Sequence, residues 1–228
     1  MHIPDGFLPA QVCAGGYALT GLITWVSLRQ IHRQPDVTAD IPKAALLTAG
    51  FFVASSIHIP VPPTSLHLML GGLLGAILGY YAFPSILIGL FFQAIMFSHG
   101  GLTTLGVNAV IMGVPALIAW RVFRLYPQLT RWLSLRVSVG VCGFLAGALG
   151  VGLAAVLFLG IALTALPTGL DAATERAALM GLTLAHLPLM LLEGGFTLLL
   201  VQFFLQVKPE MIGAGSQQRA QSWPSPSE

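Results

Sequence analysis

The sequence predicts an all-α polytopic membrane protein, a compact bundle of about seven transmembrane helices. Two observations predict it. Hydrophobic residues make up 56% of the 228 residues and charged residues only 8%, against about 25% charged in a soluble domain. The apolar residues also gather in stretches long enough to cross a bilayer, which takes about 20 mostly apolar residues per helix.

Seven such stretches follow one another at roughly 9–29, 43–58, 67–83, 85–99, 102–123, 135–163 and 175–206. The first carries Ala14 and Ala18, and small residues four apart let two helices approach closely in lipid. That pair is a candidate surface for a partner protein. The second ends at His58. The third has Gly71, Gly75 and Gly79 on one face. It joins the fourth through Ala82-Phe83-Pro84-Ser85, a link short enough for the two to be one long bent helix. Gln93 of the fourth and Asn108 of the fifth are read as interhelical hydrogen-bonding residues. The sixth repeats the small-residue spacing at Gly143 and Gly147, and the sixth and seventh are long enough to tilt.

The seventh stretch holds Glu193, a carboxyl group well inside a span, with His186 seven residues earlier. Intramembrane carboxylates are costly and are functional candidates. Two readings stay open: a hydrogen-bonded pair that locks the helix, or a step on an ion path. From Lys208 the chain turns rich in Gly, Ser, Pro and Gln. Residues 1–206 therefore read as one transmembrane domain and 207–228 as a disordered cytoplasmic tail.

Basic residues orient the bundle. With the N-terminus outside and the C-terminus inside, Arg29, Arg33, Lys43, Arg121, Arg124, Arg131, Arg136, Lys208 and Arg219 all fall in the cytoplasm, and Arg176 alone lies outside. The first ten residues lack the basic start of a signal peptide and are interrupted by Pro4, Asp5 and Pro9. The net charge of +2 comes from scattered residues, which gives no nucleic-acid footprint. Cys13 and Cys142 lie in apolar stretches and imply no disulfide framework.

This topology brings His2, His58, His67 and His99 to the outer face. His2 is the sharpest of them. The amine of Met1, the amide nitrogen of His2 and its Nδ1 close one five-membered and one six-membered ring around an ion. A large second residue protects Met1 from removal, so its amine is expected to be free. Such planar nitrogen coordination suits Ni²⁺ or Cu²⁺, and low-spin Co²⁺ as well. His67 is the candidate fourth ligand, after the proline-stiffened segment 59–66. His99, heading a glycine-rich segment, supplies a further ligand or a supporting hydrogen bond. Asp5 in the turn Pro4-Asp5-Gly6 and Ser65 complete the supporting set.

Met1-His2-Ile3-Pro4-Asp5-Gly6-Phe7-Leu8, Ser65-Leu66-His67, His99-Gly100-Gly101-Leu102-Thr103-Thr104-Leu105-Gly106-Val107-Asn108 and the His186-Leu187-Pro188 and Glu193-Gly194 stretch resemble the cobalt/nickel-capturing permeases of energy-coupling-factor transporters, the CbiM/NikM family. The resemblance runs from residue 1 to about 206. It implies a seven-helix bundle with the N-terminal segment inserted into it, and a metal held by Met1, His2 and His67. It also implies a substrate-specificity subunit that takes Ni²⁺ or Co²⁺ from outside across the inner (plasma) membrane. The partners would be a transmembrane coupling protein, two cytoplasmic ATPase subunits and a small accessory membrane subunit. The sequence holds no Gly-x-x-x-x-Gly-Lys-Ser/Thr loop of its own.

The competing reading is an intramembrane metalloenzyme using the outer-face histidines. It lacks the nearby carboxylate base that a hydrolytic zinc site requires. A passive channel has still less support, because the helices carry few polar residues.

Overall fold

Several helix starts carry a local signal, a proline or a side-chain cap. α1 (Ala10–Ile31) follows Pro9, and α2 (Ile41–Ser56) has Pro42 in its first turn. A computed structural model describes residues 2–61, 64–165 and 172–214, without the side chains of 58–61, 64–66 and 172. After α2 come two short strands, β1 (His58–Val61) and β2 (Thr64–His67), then α3 (Gly71–Leu78), α4 (Ala82–Phe97), α5 (Leu105–Phe123) and α6 (Tyr126–Leu129). α7 (Leu135–Thr164), α8 (Ala172–Leu184) and α9 (His186–Val207) complete the helices. Ser134 caps α7 by accepting the Val137 N–H at 3.4 Å.

The bundle is helical, as the apolar stretches of the sequence predict. Four runs among the described residues are long and apolar enough to cross a membrane: Gly71–Phe97, Leu105–Leu129, Leu135–Thr164 and Ala173–Val207. Seven stretches reduce to four because α1 is not among these runs, α2 has only 16 residues, and α3, with only 8, joins α4 through a 3₁₀ turn at Gly79–Tyr81. That joined run is no straight rod. A helix of 27 residues extends about 40 Å, yet His67 before it and His99 after it bring their rings to 5.2 Å. The chain therefore doubles back, and it does so at Gly79 (φ +59°) rather than at Ala82–Ser85.

α3 is wedged between backbones. A Cβ on Gly75 would stand 2.0 Å from the Ala116 carbonyl oxygen of α5, and one on Gly72 would stand 2.3 Å from that of Ala146 on α7. Gly72, not Gly71, makes this contact, and Gly79 serves as a turn. α7 lies along α9, α5 and α3 at the centre of the bundle. Ala14 and Ala18 are exposed on α1, as a partner-facing pair would be.

The segment 59–66 was expected as proline-stiffened irregular chain. β1 and β2 instead pair antiparallel, with His58 opposite His67 and Pro60 opposite Ser65.

At the far end of α1, α3 and α5 the Tyr81 hydroxyl donates to the Val37 carbonyl at 2.7 Å, and Arg121 donates to the Tyr80 hydroxyl at 3.3 Å. The expected tail boundary at 207 moves here. Pro209–Ile212 form a 3₁₀ turn, Ile212 and Ala214 are buried, and the Tyr126 hydroxyl donates to the Gly213 carbonyl at 3.1 Å. Residues 215–228 of that expected tail lie outside the described residues.

Candidate metal centre

Residues 2–8 form no helix, so their backbone groups need partners from elsewhere. The start of α5 supplies them. The Ile3 N–H donates to Asn108 Oδ1 at 2.9 Å, and the Ile3 carbonyl accepts from Asn108 Nδ2 at 3.0 Å and from the Thr104 hydroxyl at 2.6 Å. Asn108 thus presents a donor and an acceptor side by side, like one rung of a sheet. Ile3 is fully buried and Leu8 nearly so, and their burial draws the segment into the bundle. Asn108 was read as an interhelical residue; it binds the inserted N-terminal chain instead.

Asp5 fastens the turn. Its carboxylate accepts the N–H of Thr103 at 2.8 Å and of Leu102 at 3.2 Å, together with the Thr103 hydroxyl. The Thr103 side chain first, and the backbone N–H groups after it, hold this exposed carboxyl below the usual carboxylate range. The approach depends on Gly100-Gly101. Gly100 has φ +83°, and a Cβ on Gly101 would fall 2.0 Å from the Asp5 oxygen.

With the segment seated, three imidazoles meet. The ring centroids of His2 lie 4.2 Å from His99 and 5.2 Å from His67, and the ligand atoms of all three lie within 4.8 Å of one another. Two nitrogens each about 2.1 Å from a shared ion stand at most about 4.2 Å apart, so small ring movements would close the set. Both ring nitrogens of His2 are buried without a full hydrogen bond. Burial is the main force holding its pKa well below the ordinary value, and the His99 and His67 rings add to it. The imidazole is therefore neutral, the form that binds a metal.

His67 ends β2, and the turn after it is tied down from α9. Glu193, 1% exposed, accepts the N–H groups of Met69 and of Leu70, the latter at 3.1 Å. Leu70 sits at φ +46°, a conformation uncommon for a bulky residue. The expected His186–Glu193 pair does not form; His186 Nδ1 bonds the Leu182 carbonyl at 2.7 Å on the helical turn before it. A lone buried carboxylate needs donors, and the free N–H groups at a helix start supply them. That signal would have pointed Glu193 to α3, had the end of α3 been known to face α9.

The structure brings the His99 ring closer to His2 than the His67 ring, 4.2 Å against 5.2 Å. Asp5 stands at the latch rather than among the rings. Met1 and the Ser65 side chain lie outside the described residues. No carboxylate groups with the three histidines among the described residues.

Residues 2–211 match the family model CbiM, the cobalt uptake substrate-specific transmembrane region. A putative metal transport protein of Haemophilus influenzae is 35% identical over 215 residues, covering 93% of this chain and 97% of that one. The fused nickel transport protein NikMN of Rhodobacter capsulatus is 38% identical over 117 residues, 50% of this chain and 33% of its own. The crystal structure of a truncated transition metal transporter superposes with a TM-score of 0.70 at 26% identity, covering 91% and 99% of the two chains. A family match over nearly the whole chain, joined to a three-histidine cluster in an apolar helical bundle, makes this protein a member of the CbiM family of cobalt/nickel membrane transport proteins.

Proposed function

We propose that this chain is the substrate-specificity component of an energy-coupling-factor importer, and that it captures Ni²⁺ or Co²⁺ from outside. The convergence of His2, His67 and His99 carries the reading, because it places three buried or half-buried imidazoles at one end of an apolar bundle. The Met1 amine, the amide nitrogen and Nδ1 of His2, and the His67 imidazole are the ligands. His99, Asp5 and Ser65 support them. The planar nitrogen set favours metals that reward a strong field, and both nickel and cobalt fit it.

The ion loses its waters as it enters among the rings, and the outer loops close over it. Partner subunits then reorient the bundle so that the ion leaves toward the cytoplasm. Those partners are a transmembrane coupling protein, two ATPases and a small accessory membrane subunit. A nickel transport relative whose name describes a fused chain agrees with assembly from several membrane components. The exposed Ala14 and Ala18 are the proposed contact with the coupling protein. The protein sits in the inner (plasma) membrane with the histidine cluster outside and the C-terminus in the cytoplasm. A hydrolytic enzyme is disfavoured, since no carboxylate groups with the three histidines among the described residues.

The test is metal titration of the purified protein with its native N-terminus, beside a form carrying one glycine before Met1 and beside His67→Ala. One tightly bound ion in the native form, lost in both variants, is expected. Equal binding in all three would remove Met1, His2 and His67 from the site.

A further inference from the structure

Two unsatisfied groups lie at the cluster. The ring nitrogens of His2 are buried without a hydrogen-bond partner, and so is Oε1 of Gln93, a side chain only 1% exposed. Gln93 lines one small cavity with His99, whose ring centroid lies 4.2 Å from that of His2. A neutral imidazole carries one N–H and one lone pair. If Nδ1 takes the metal, Nε2 carries the hydrogen and needs an acceptor.

We infer that Gln93 is the positioning residue for His2: its Oε1 accepts the Nε2–H of the His2 imidazole and so leaves Nδ1 free for the ion. The inference rests on the reading of His2 as a metal ligand.

The amide can present its oxygen to His2 because its nitrogen is committed elsewhere. Ser55 donates its hydroxyl to the Phe51 carbonyl at 2.7 Å, with the Phe52 carbonyl at 3.1 Å. With its hydrogen spent on its own helix, Ser55 faces Gln93 as an acceptor, and Gln93 Nε2 donates to it. The amide therefore cannot flip without breaking that bond. The sequence of bonds runs from the α2 backbone through Ser55 and Gln93 to the N-terminal histidine. Gln93 also reaches a second member of the cluster, since its backbone carbonyl accepts the His99 N–H at 3.2 Å. Partners of this kind fix the orientation of a ligating histidine and raise its basicity, and losing one costs about 10–100-fold in metal affinity.

A cavity of about 170 Å³ lined by Ser55, Ser56, Gln93, Phe97 and His99 already adjoins the side chain, so truncation enlarges a space rather than opening a sealed core. Full-length protein with its native N-terminus would be titrated with Ni²⁺ and with Co²⁺ as wild type, Gln93→Ala, Gln93→Glu, Ser55→Ala and His67→Ala. Gln93→Ala is expected to lose about 10–100-fold in affinity, with the absorption bands of the bound ion shifted. Ser55→Ala should lose less. Gln93→Glu, which keeps an acceptor for the ring N–H, should restore binding. Wild-type affinity in Gln93→Ala, with binding lost in His67→Ala, would overturn the role of Gln93 and leave the metal site standing. Equal losses in Gln93→Ala and Gln93→Glu, with lowered melting temperatures, would reduce Gln93 to packing. Wild-type binding in His67→Ala as well would overturn the site itself.

Discussion

At the scale of single residues, the site works by keeping a histidine neutral where no water reaches its ring nitrogens. Burial lowers the pKa of His2 well below 6.5 in the folded protein. The unfolded chain therefore takes up the proton at a higher pH than the folded one. The His2 contribution to stability is complete above about pH 6.5 and is lost as pH falls from there toward the lowered folded value. Thermal melts of the metal-free protein between pH 8 and pH 5 should show this loss, and His2→Ala should flatten the curve; an unchanged slope would mean that His2 is not buried. Proton competition at the His2 ring itself should set in only below the pH expected for an exposed histidine. His2, His67 and His99 were legible in the sequence because spans and charge bias sort side chains by membrane face. Gln93 was readable as an interhelical hydrogen-bonding residue, and it donates from α4 to Ser55 on α2; Asn108 was recognisable as polar and buried, but its partner in the N-terminal chain was not. Asn108 serves the N-terminal chain and Gln93 the site only because of which backbone and which ring the fold sets against them.

At the scale of elements, one carboxylate connects the longest apolar run to the metal loop. Glu193 on α9 accepts the N–H groups of Met69 and Leu70, directly after His67. Removing the acceptor leaves two buried donors unpaired, each at a cost of about 1–3 kcal/mol, and frees a left-handed residue to relax. Glu193→Ala should therefore lower the melting temperature and weaken metal binding together. Glu193→Gln, which keeps an acceptor oxygen, should do both less severely. Loss of stability with wild-type affinity would show that α9 does not position His67. The stretches at 102–123 and 135–163 were readable because unbroken apolar length is a one-dimensional signal. The hairpin at 58–67 was not, since Pro60, Pro62 and Pro63 point away from a strand and a two-stranded pairing depends on contacts outside itself. The turn at Gly79 was missed for a related reason. Three glycines at intervals of four read as a packing face, and nothing local distinguishes the one that takes φ +59°.

At the scale of the whole molecule, the two ends of the bundle differ in chemistry. The cluster end holds three imidazoles and the inserted N-terminal chain. The far end of α5, 19 residues and about 28 Å away, holds Arg121 and Arg124 stacked on Trp120, with Lys43 paired to Asp40 at 2.9 Å nearby. Positive residues are retained on the cytoplasmic side during insertion, so this end should lie inside and the cluster outside. Two exposed residues can report it: Phe7, 41% exposed beside the cluster, and Trp132, 88% exposed between Arg131 and Arg136. Each would be replaced by cysteine in a background with Cys13 and Cys142 removed. A membrane-impermeant maleimide added to intact cells should label position 7 and not position 132, and the order should reverse in inverted vesicles. The opposite pattern would point the histidines into the cytoplasm, where a capture site for external metal has no substrate to meet. Orientation and capture thus stand or fall together, because the same insertion that buries His2 among the rings decides which solution supplies its ion.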